Sequence, residues 1–246
     1  MATVRLDQKS RAIVRNISDS YIDAIASYFG NGPTDIDAAR AQHRAYYQTL
    51  SANGVDVTIL DADPNHPDCV FVEDQAIVID GHMLLPVPGH ESRRGEQPPI
   101  ANFLSSQLQN HQISKMQPPA MMDGGDILRL GNLFFVGRST RTSDAGISQL
   151  KDLLDRLGHE LRVIDIPSHS LHLTSICSTP SDQIILLPEG YLDPISFGEM
   201  PEGCEIITMP KEEVYGCNTI GLPGKKVILA DGYPTVKSEL ENRGFE

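Results

Sequence analysis

Four hairpin patterns recur along this chain at intervals of about fifty residues. The second strand of each pattern is a short apolar run that follows a turn rich in Gly, Pro, Asn or Asp. These strands begin at Met83, Leu133, Ile184 and Val227, so the spacings are 50, 51 and 43 residues. A short turn between two apolar runs predicts a β-hairpin. Self-similarity at a fixed period indicates an architecture of repeated units.

Segments with helical periodicity lie between the hairpins. Apolar residues recur in them at three- and four-residue steps, which is typical of a helix with one buried face. The predicted helices cover residues 35–50, 101–111 and 144–157.

Three helical segments end in the same way, with a glycine just past the last turn. These glycines are Gly54, Gly158 and Gly244. Strands are predicted directly after the first two, at 55–60 and 161–166, whereas only two residues follow Gly244.

The pattern as a whole predicts an α/β fold in one domain, residues 1–246. We expect a ring of about five hairpin-and-helix units, the last of which lacks its closing strand. A doubly wound parallel sheet is the alternative, but interleaved hairpins fit it poorly.

Composition limits the classes of partner. The formal net charge of -13 argues against nucleic acid and anionic membranes and suits a cationic ligand. Neither a signal peptide nor an apolar run long enough to span a bilayer is recognisable. The four cysteines are scattered, which favours reduced thiols and a cytoplasmic location over a disulfide framework or a zinc site.

The segment 68–74 combines apolar residues with three carboxylates. Its composition predicts a short strand, on which Asp68 and Asp74 would share a face. No Lys or Arg lies between Arg44 and Arg93, so no neighbouring cation would compensate these acids. A cationic ligand is one interpretation, and solvated acids at a strand end are the commoner one.

Other polar residues lie near the predicted strand ends. Asp123 and Asp126 flank a Gly-Gly pair before a strand and could orient a base or bind a cation, although a plain turn also explains them. His172, expected in a strand, could be a general acid or base or simply a core residue. With His169 it makes a weak metal case, because a third ligand is lacking nearby.

Arginines occur at two places where they could bind a carboxylate. Arg138 and Arg141 follow a strand end, and Arg93 and Arg94 form a pair in a loop. On local sequence alone, the loop pair is better explained as solvated.

Five of these motifs occur together in the order, and near the spacing, found in the dimethylarginine dimethylaminohydrolases. The chain therefore resembles this family over residues 12–246. The resemblance implies a five-bladed α/β-propeller of the guanidine-modifying pentein superfamily. The motifs are Phe71-Val-Glu-Asp74, Ser92-Arg-Arg-Gly-Glu96, Asp123-Gly-Gly-Asp126, Gly137-Arg-Ser-Thr-Arg-Thr142 and Leu171-His-Leu173.

The resemblance also implies roles for individual residues. Asp74, helped by two neighbouring acids, would pair with the substrate guanidinium, and Arg93 and Arg141 would hold its carboxylate. His172, hydrogen-bonded to Asp123, would protonate the leaving amine and then activate water. No metal or organic cofactor is implied. The substrate-binding set is Asp68, Phe71, Glu73, Asp74, Arg93 and Arg141.

The chain departs from the family at the nucleophile. The family uses a cysteine in the final strand, beyond the position equivalent to Glu246, and none of the four cysteines here matches it. Cys217 is predicted in the first strand of the last hairpin instead. We expect the chain as given to be inactive, either because it is truncated, which the missing strand favours, or because it is a non-catalytic relative.

Two other functions remain open. The chain could be another guanidine-modifying enzyme, such as an arginine deiminase or amidinotransferase, or a non-catalytic arginine-binding protein. Residues 28–33 are a candidate lid. The sequence does not indicate the oligomeric state.

Overall fold

The computed structural model describes residues 4–6, 9–26, 28 and 34–246. It divides into two compact units, residues 1–124 and 125–246. The candidate lid lies, apart from Tyr28, outside the described residues.

One arrangement of strands is repeated in the first unit. Two antiparallel strands form a hairpin, and the chain then crosses through a helix to a third strand, which pairs in parallel with the second. The first sheet contains β1 (Val4–Leu6), β2 (Lys9–Arg15) and β3 (Asp56–Leu60), with α1 (Ile36–Ala52) in the crossing. The second contains β4 (Ile77–Ile79), β5 (His82–Leu85) and β6 (Gln112–Lys115), with α2 (Gln97–Gln107) in the crossing.

The second unit continues this arrangement through three sheets. The first has β7 (Ile127–Leu130), β8 (Leu133–Arg138), α3 (Asp144–Leu157) and β9 (Glu160–Asp165). The next has β10 (Ser178–Ser181), β11 (Ile184–Pro188) and β12 (Glu205–Met209), and a 3-10 turn, Pro194–Phe197, lies in its crossing. The last has β13 (Ile220–Leu222) and β14 (Lys226–Ile228), followed by α4 (Pro234–Asn242).

The four predicted hairpins and the three predicted helices are therefore confirmed. The prediction for α3 is correct at both ends, because Ser143 caps its first turn by accepting from Gly146 and Gly158 ends it with a φ of 78°. Helix α2 begins four residues earlier than expected, since Pro98 and Pro99 are tolerated in a first turn.

Apolar residues of the inner strands and helix faces form the core of each unit. In the first unit Met83 of β5 packs with Ile100 and Leu104 of α2. In the second, all five residues of β11 are buried, and the rings of Phe135 and Phe197 lie 5.1 Å apart.

The last sheet has two strands among the described residues, and the chain then returns beside it. The amide of Glu246 donates to the carbonyl of Lys225, and its carbonyl accepts from the amide of Val227. In another sheet, the amide of Gln112 at the start of β6 donates to Gly81 in the same way. Glu246 thus lies where the third strand begins in that sheet.

The prediction of a strand at 68–74 is wrong. The amides of Cys69 and Phe71 donate to carbonyls three residues earlier, and a 3-10 turn, Val72–Gln75, follows. The backbone donors are thus satisfied within the loop, and a strand partner is not needed.

Two other strand predictions are also wrong. His172 lies in a loop and precedes a 3-10 turn, Leu173–Ser175. Cys217 lies at the end of another, Lys211–Cys217, and not in β13. None of the described helices is both long enough and apolar enough to cross a bilayer.

Candidate active site

The centre of the acidic loop is a buried ion network. Asp74 and Arg93 are 2% and 3% exposed, and Nη1 of Arg93 lies 2.5 Å from Oδ2 of Asp74. Glu96, 1% exposed, accepts from Nε and Nη2 of the same guanidinium, the latter at 2.8 Å. Gln75 donates a further 2.8 Å hydrogen bond to Glu96. Burial raises the pKa of Glu96, and the positive charge of Arg93 opposes that rise.

Arg93 also holds the backbone of the loop. Its Nη2 donates to the carbonyls of Asp68 and Phe71 at 3.3 and 3.2 Å, and its guanidinium carbon lies 5.8 Å from the centre of the Phe71 ring. The sequence argument that no neighbouring cation compensates the acids is therefore wrong, because Arg93 reaches back 19 residues to Asp74. All three guanidinium nitrogens donate to protein acceptors, so the predicted carboxylate contact of Arg93 has strong competitors.

The other predicted substrate contacts of this unit lie on the same loop. Asp68 is buried and accepts from the amide of Ile25. Phe71 is exposed, and its ring lies 6.4 Å from that of Tyr21. Glu73 is half-buried, and its charge adds to burial in raising the pKa of Tyr46.

Asp123 lies against this loop. It is fully buried, accepts from the amide of Gly89 at 2.8 Å, and has a carboxylate oxygen within 4.8 Å of one of Asp74. The next residue, Gly124, packs so closely that a Cβ there would lie 2.0 Å from the carbonyl oxygen of Glu73. The close approach expected of the glycine pair is therefore confirmed for Gly124, and it brings two buried carboxylates together.

Asp126 organises the candidate residues of the second unit. It is fully buried and accepts from the amide of Leu173 at 3.0 Å and from the hydroxyl of Ser139 at 2.6 Å. The Ser139 oxygen in turn accepts from the amides of Arg141 and Thr142. One carboxylate therefore connects the loop after β8 to the residue that follows His172.

The charge of Asp126 is coupled to that of His172. Burial raises the pKa of Asp126 to about 6, against the opposing effects of the His172 charge and of hydrogen bonds from Ser139 and Leu173. His172 and Arg141 are themselves buried, at 6% and 7% exposure. Ionisable groups held this far from water are concentrated at functional sites.

Arg138, Arg94 and His169 make other contacts. Arg138 is half-exposed and pairs with Asp144 and Asp165. Arg94 is exposed, and its nearest carboxylate contact is 3.9 Å. The ring of His169 meets Tyr191 edge-on.

The thiols of the second unit have high pKa values. Burial raises the pKa of Cys177 well above its usual range and that of Cys217 to about 12, to which Glu213 adds in the case of Cys217. Both side chains are fully buried. A thiol in such a place is not a nucleophile at neutral pH, because the thiolate is the reactive form.

The structure thus brings together six predicted residues in the first unit. They are Asp68, Phe71, Glu73, Asp74, Arg93 and Asp123. In the second unit, Arg141 and His172 lie on segments that Asp126 connects. The predicted hydrogen bond between Asp123 and His172, which belong to different units, stays a prediction.

Sequence analysis overlooked Glu96 and Gln75 as members of the site. The signal that was available is the carboxylate three residues after Arg93 on one short helical segment. That spacing is equally common between surface residues.

Comparison with known proteins identifies the family. The family model described as N,N dimethylarginine dimethylhydrolase, eukaryotic, matches residues 12–229. The chain is 29% identical over 233 residues to the N(G),N(G)-dimethylarginine dimethylaminohydrolase of Pseudomonas aeruginosa, which covers 95% of this chain and 89% of that protein. The protein of the same name from Streptomyces coelicolor is 29% identical over 238 residues, 96% of this chain and 88% of the relative.

Solved structures agree with this assignment. A cysteine mutant of the P. aeruginosa enzyme in complex with citrulline superposes with a TM-score of 0.85 at 29% identity, over 96% of this chain and 89% of that one. The N-terminal domain of ArgZ, a cyanobacterial arginine dihydrolase, has a TM-score of 0.83 at 19% identity, over 96% and 89%, which is a similarity of fold alone. The mixed α/β fold is common to these structures, and the family match spans most of the chain. The chain therefore belongs to the N,N-dimethylarginine dimethylhydrolase family.

Proposed function

We propose that this protein is an amidine hydrolase of the dimethylargininase type, which converts N-methylated arginine to citrulline and methylamine or dimethylamine. The observation that carries the proposal is the buried carboxylate of Asp74, which lies beside a second buried carboxylate, Asp123. Buried acids attract a cationic group, and a methylated guanidinium is such a group. Relatives named for this activity, and a relative bound to citrulline, support the choice of substrate.

The reaction follows from the chemistry of the guanidinium. It is planar and resonance-stabilised, so attack at its carbon needs both charge compensation and a strong nucleophile. A thiolate forms a C–S bond, the C–N bond to the methylated amine breaks, and His172 gives that amine its proton. Water then attacks the thiouronium intermediate, His172 accepts a proton, and the thiolate leaves as citrulline forms.

The remaining residues bind and orient. Asp74 faces the guanidinium, with Asp68 and Glu73 near it, and Arg141 holds the carboxylate of the amino acid. Asp123 would fix the imidazole of His172 by a hydrogen bond. The high pKa of Cys217 argues against that thiol as the nucleophile.

We infer in addition that the five sheets are the blades of an α/β-propeller in a single catalytic domain. The shared pairing of a hairpin with a parallel third strand, seen in four sheets, supports this arrangement. The proposal places the enzyme in the cytoplasm, in keeping with its four free cysteines.

Calorimetric titration with dimethylarginine tests the binding site. Asp74→Asn removes a charge-assisted contact from a buried site, so we expect a loss of about 2 to 5 kcal/mol in binding free energy. The exposed acid in Asp56→Asn supplies a control that should leave affinity unchanged.

The same titration with unmethylated arginine distinguishes the related guanidine enzymes. A preference for dimethylarginine supports the proposal, and a preference for arginine would favour a deiminase. Unchanged affinity in Asp74→Asn would remove the proposed role of this residue.

A further inference from the structure

Glu96 is saturated by its protein partners. Its two oxygens accept from Nε of Arg93, and one of them also accepts from Nη2 of Arg93 and from Gln75. A carboxylate with these bonds, at 1% exposure, acts on other side chains more readily than on a ligand.

The guanidinium of Arg93 stands between two carboxylates. Its Nε and Nη2 face Glu96, and its Nη1 donates to one oxygen of Asp74. A guanidinium binds a carboxylate most tightly through two parallel hydrogen bonds. Glu96 occupies the edge of Arg93 that offers such a pair, so Asp74 receives a bond from Nη1.

The charges lead to the same conclusion. Asp74, Glu96 and Arg93 sum to one negative charge when all three are ionised. Without Glu96 the sum would be zero, and Arg93 would be free to turn both donors of one edge towards Asp74. Glu96 therefore keeps Arg93 from neutralising the acid that faces the ligand.

We propose that Glu96, acting through Arg93, is a positioning residue that keeps the Asp74 carboxylate oriented and negatively charged for a cationic ligand. The inference rests on the proposed function and refines it. It also assigns Arg93 to the guanidinium end of the substrate, whereas the family resemblance implies the carboxylate end.

The chain contains a matched control on the same helical segment. Glu91 and Arg94 also lie three residues apart within the 3-10 segment Glu91–Glu96. Their side chains are 90% and 47% exposed and 3.9 Å apart, so this pair has the same chemistry without burial.

The first experiment compares a cationic with a neutral ligand. Calorimetry should show that Glu96→Gln weakens binding of dimethylarginine about tenfold or more, since a charge-assisted contact is misdirected. Citrulline, whose side chain is uncharged, should lose about threefold or less. Glu91→Gln should change neither affinity.

The second experiment separates the two ends of the ligand. Dimethylagmatine is dimethylarginine without its carboxylate. If Arg93 acts through Asp74, Arg93→Lys weakens both ligands by the same factor. Arg141→Lys, at the proposed carboxylate contact, should weaken only dimethylarginine, and Arg94→Lys should weaken neither.

Specific outcomes would overturn the inference. Equal losses for dimethylarginine and citrulline in Glu96→Gln would make Glu96 merely structural. A loss in Arg93→Lys that disappears with dimethylagmatine would make Arg93 a carboxylate ligand. If the native chain binds none of the three ligands, the proposed function fails first, and this inference fails with it.

A milder variant covers a failure of Glu96→Gln to fold. Gln75→Met removes one hydrogen bond to Glu96 and leaves every charge in place. We expect a smaller loss for dimethylarginine than in Glu96→Gln and no change for citrulline. An unchanged ratio of the two affinities would again contradict the proposal.

Discussion

At the scale of single residues, Asp126 connects more of the second unit's site than any predicted catalytic group there. It is fully buried, yet its hydrogen bonds from Leu173 and Ser139 are most favourable when it is ionised. These opposing effects leave its pKa at about 6, whereas an exposed aspartate titrates near 3.8.

The raised pKa predicts a specific dependence of stability on pH. Between pH 3.8 and about 6 the folded state retains a proton that the unfolded state has lost, so the contribution of Asp126 is complete below pH 3.8 and disappears as the pH rises through 6. Integrated over this window, it amounts to about 3 kcal/mol. Urea unfolding of the native protein and of Asp126→Asn at pH 4, 5, 6 and 7 measures it.

The comparison has a defined sign. The free energy of unfolding of the native protein should fall relative to that of Asp126→Asn as the pH rises, because asparagine has no proton to lose. Parallel curves for the two proteins would show that Asp126 does not titrate in this range.

Sequence analysis identified most of the acids of the site but not their partners. Asp74 and Asp123 were predicted from their motifs, and both are buried. Arg93 was assigned to the ligand because a sequence does not reveal which way a side chain turns. Packing decided this, since the 3-10 segment that carries Arg93 directs its guanidinium at a loop 19 residues earlier in the chain.

At the scale of secondary-structure elements, helix α3 follows its sequence pattern most closely. Leu150 and Leu154 are fully buried on one face, and Lys151 on the other face pairs with Asp155. The helix leads from β8, whose end precedes Arg141, to β9, so its packing supports one side of the site.

A core substitution in α3 should therefore destabilise the protein strongly. Leu154→Ala leaves a cavity, and we expect a loss of about 2 to 5 kcal/mol in the free energy of unfolding. Lys151→Ala, three residues earlier on the exposed face, should cost about 0.5 kcal/mol or less. Chemical denaturation of both variants tests this, and equal losses would mean that the core does not depend on this face of α3.

Elements that rest on periodicity were predictable, and those that rest on local hydrogen bonding were not. The hairpins and helices have repeating apolar patterns, which a sequence displays directly. The loop 68–74 contains Val70 and Val72, whose β propensity favours a strand. Turns closed by backbone hydrogen bonds prevailed there, and backbone hydrogen bonds leave little trace in residue type.

At the scale of the whole molecule, binding and turnover make separate demands. The acids and arginines needed for binding are present in the two units. The two thiols of the second unit with raised pKa values, Cys177 and Cys217, are buried. A binding site can therefore form without an activated nucleophile.

We expect these 246 residues to form citrulline from dimethylarginine at a rate roughly a million-fold below that of an intact Cys-His enzyme. Water attacking with the help of His172 is a much weaker nucleophile than a thiolate. A colorimetric citrulline assay on purified protein measures this rate. Turnover at a normal rate that is lost in Cys217→Ser would identify Cys217 as the nucleophile and refute our assignment.

The hydrogen bonds of Asp126 have a consequence for local unfolding. Ser139 and Leu173 share this one acceptor, and Ser139 in turn binds the amides of Arg141 and Thr142. Opening either segment leaves a buried carboxylate short of donors, which also weakens the hold on the other segment. The segments that carry Arg141 and His172 should therefore open and close as one cooperative unit, so that an intermediate with one segment ordered and the other open is rarely populated.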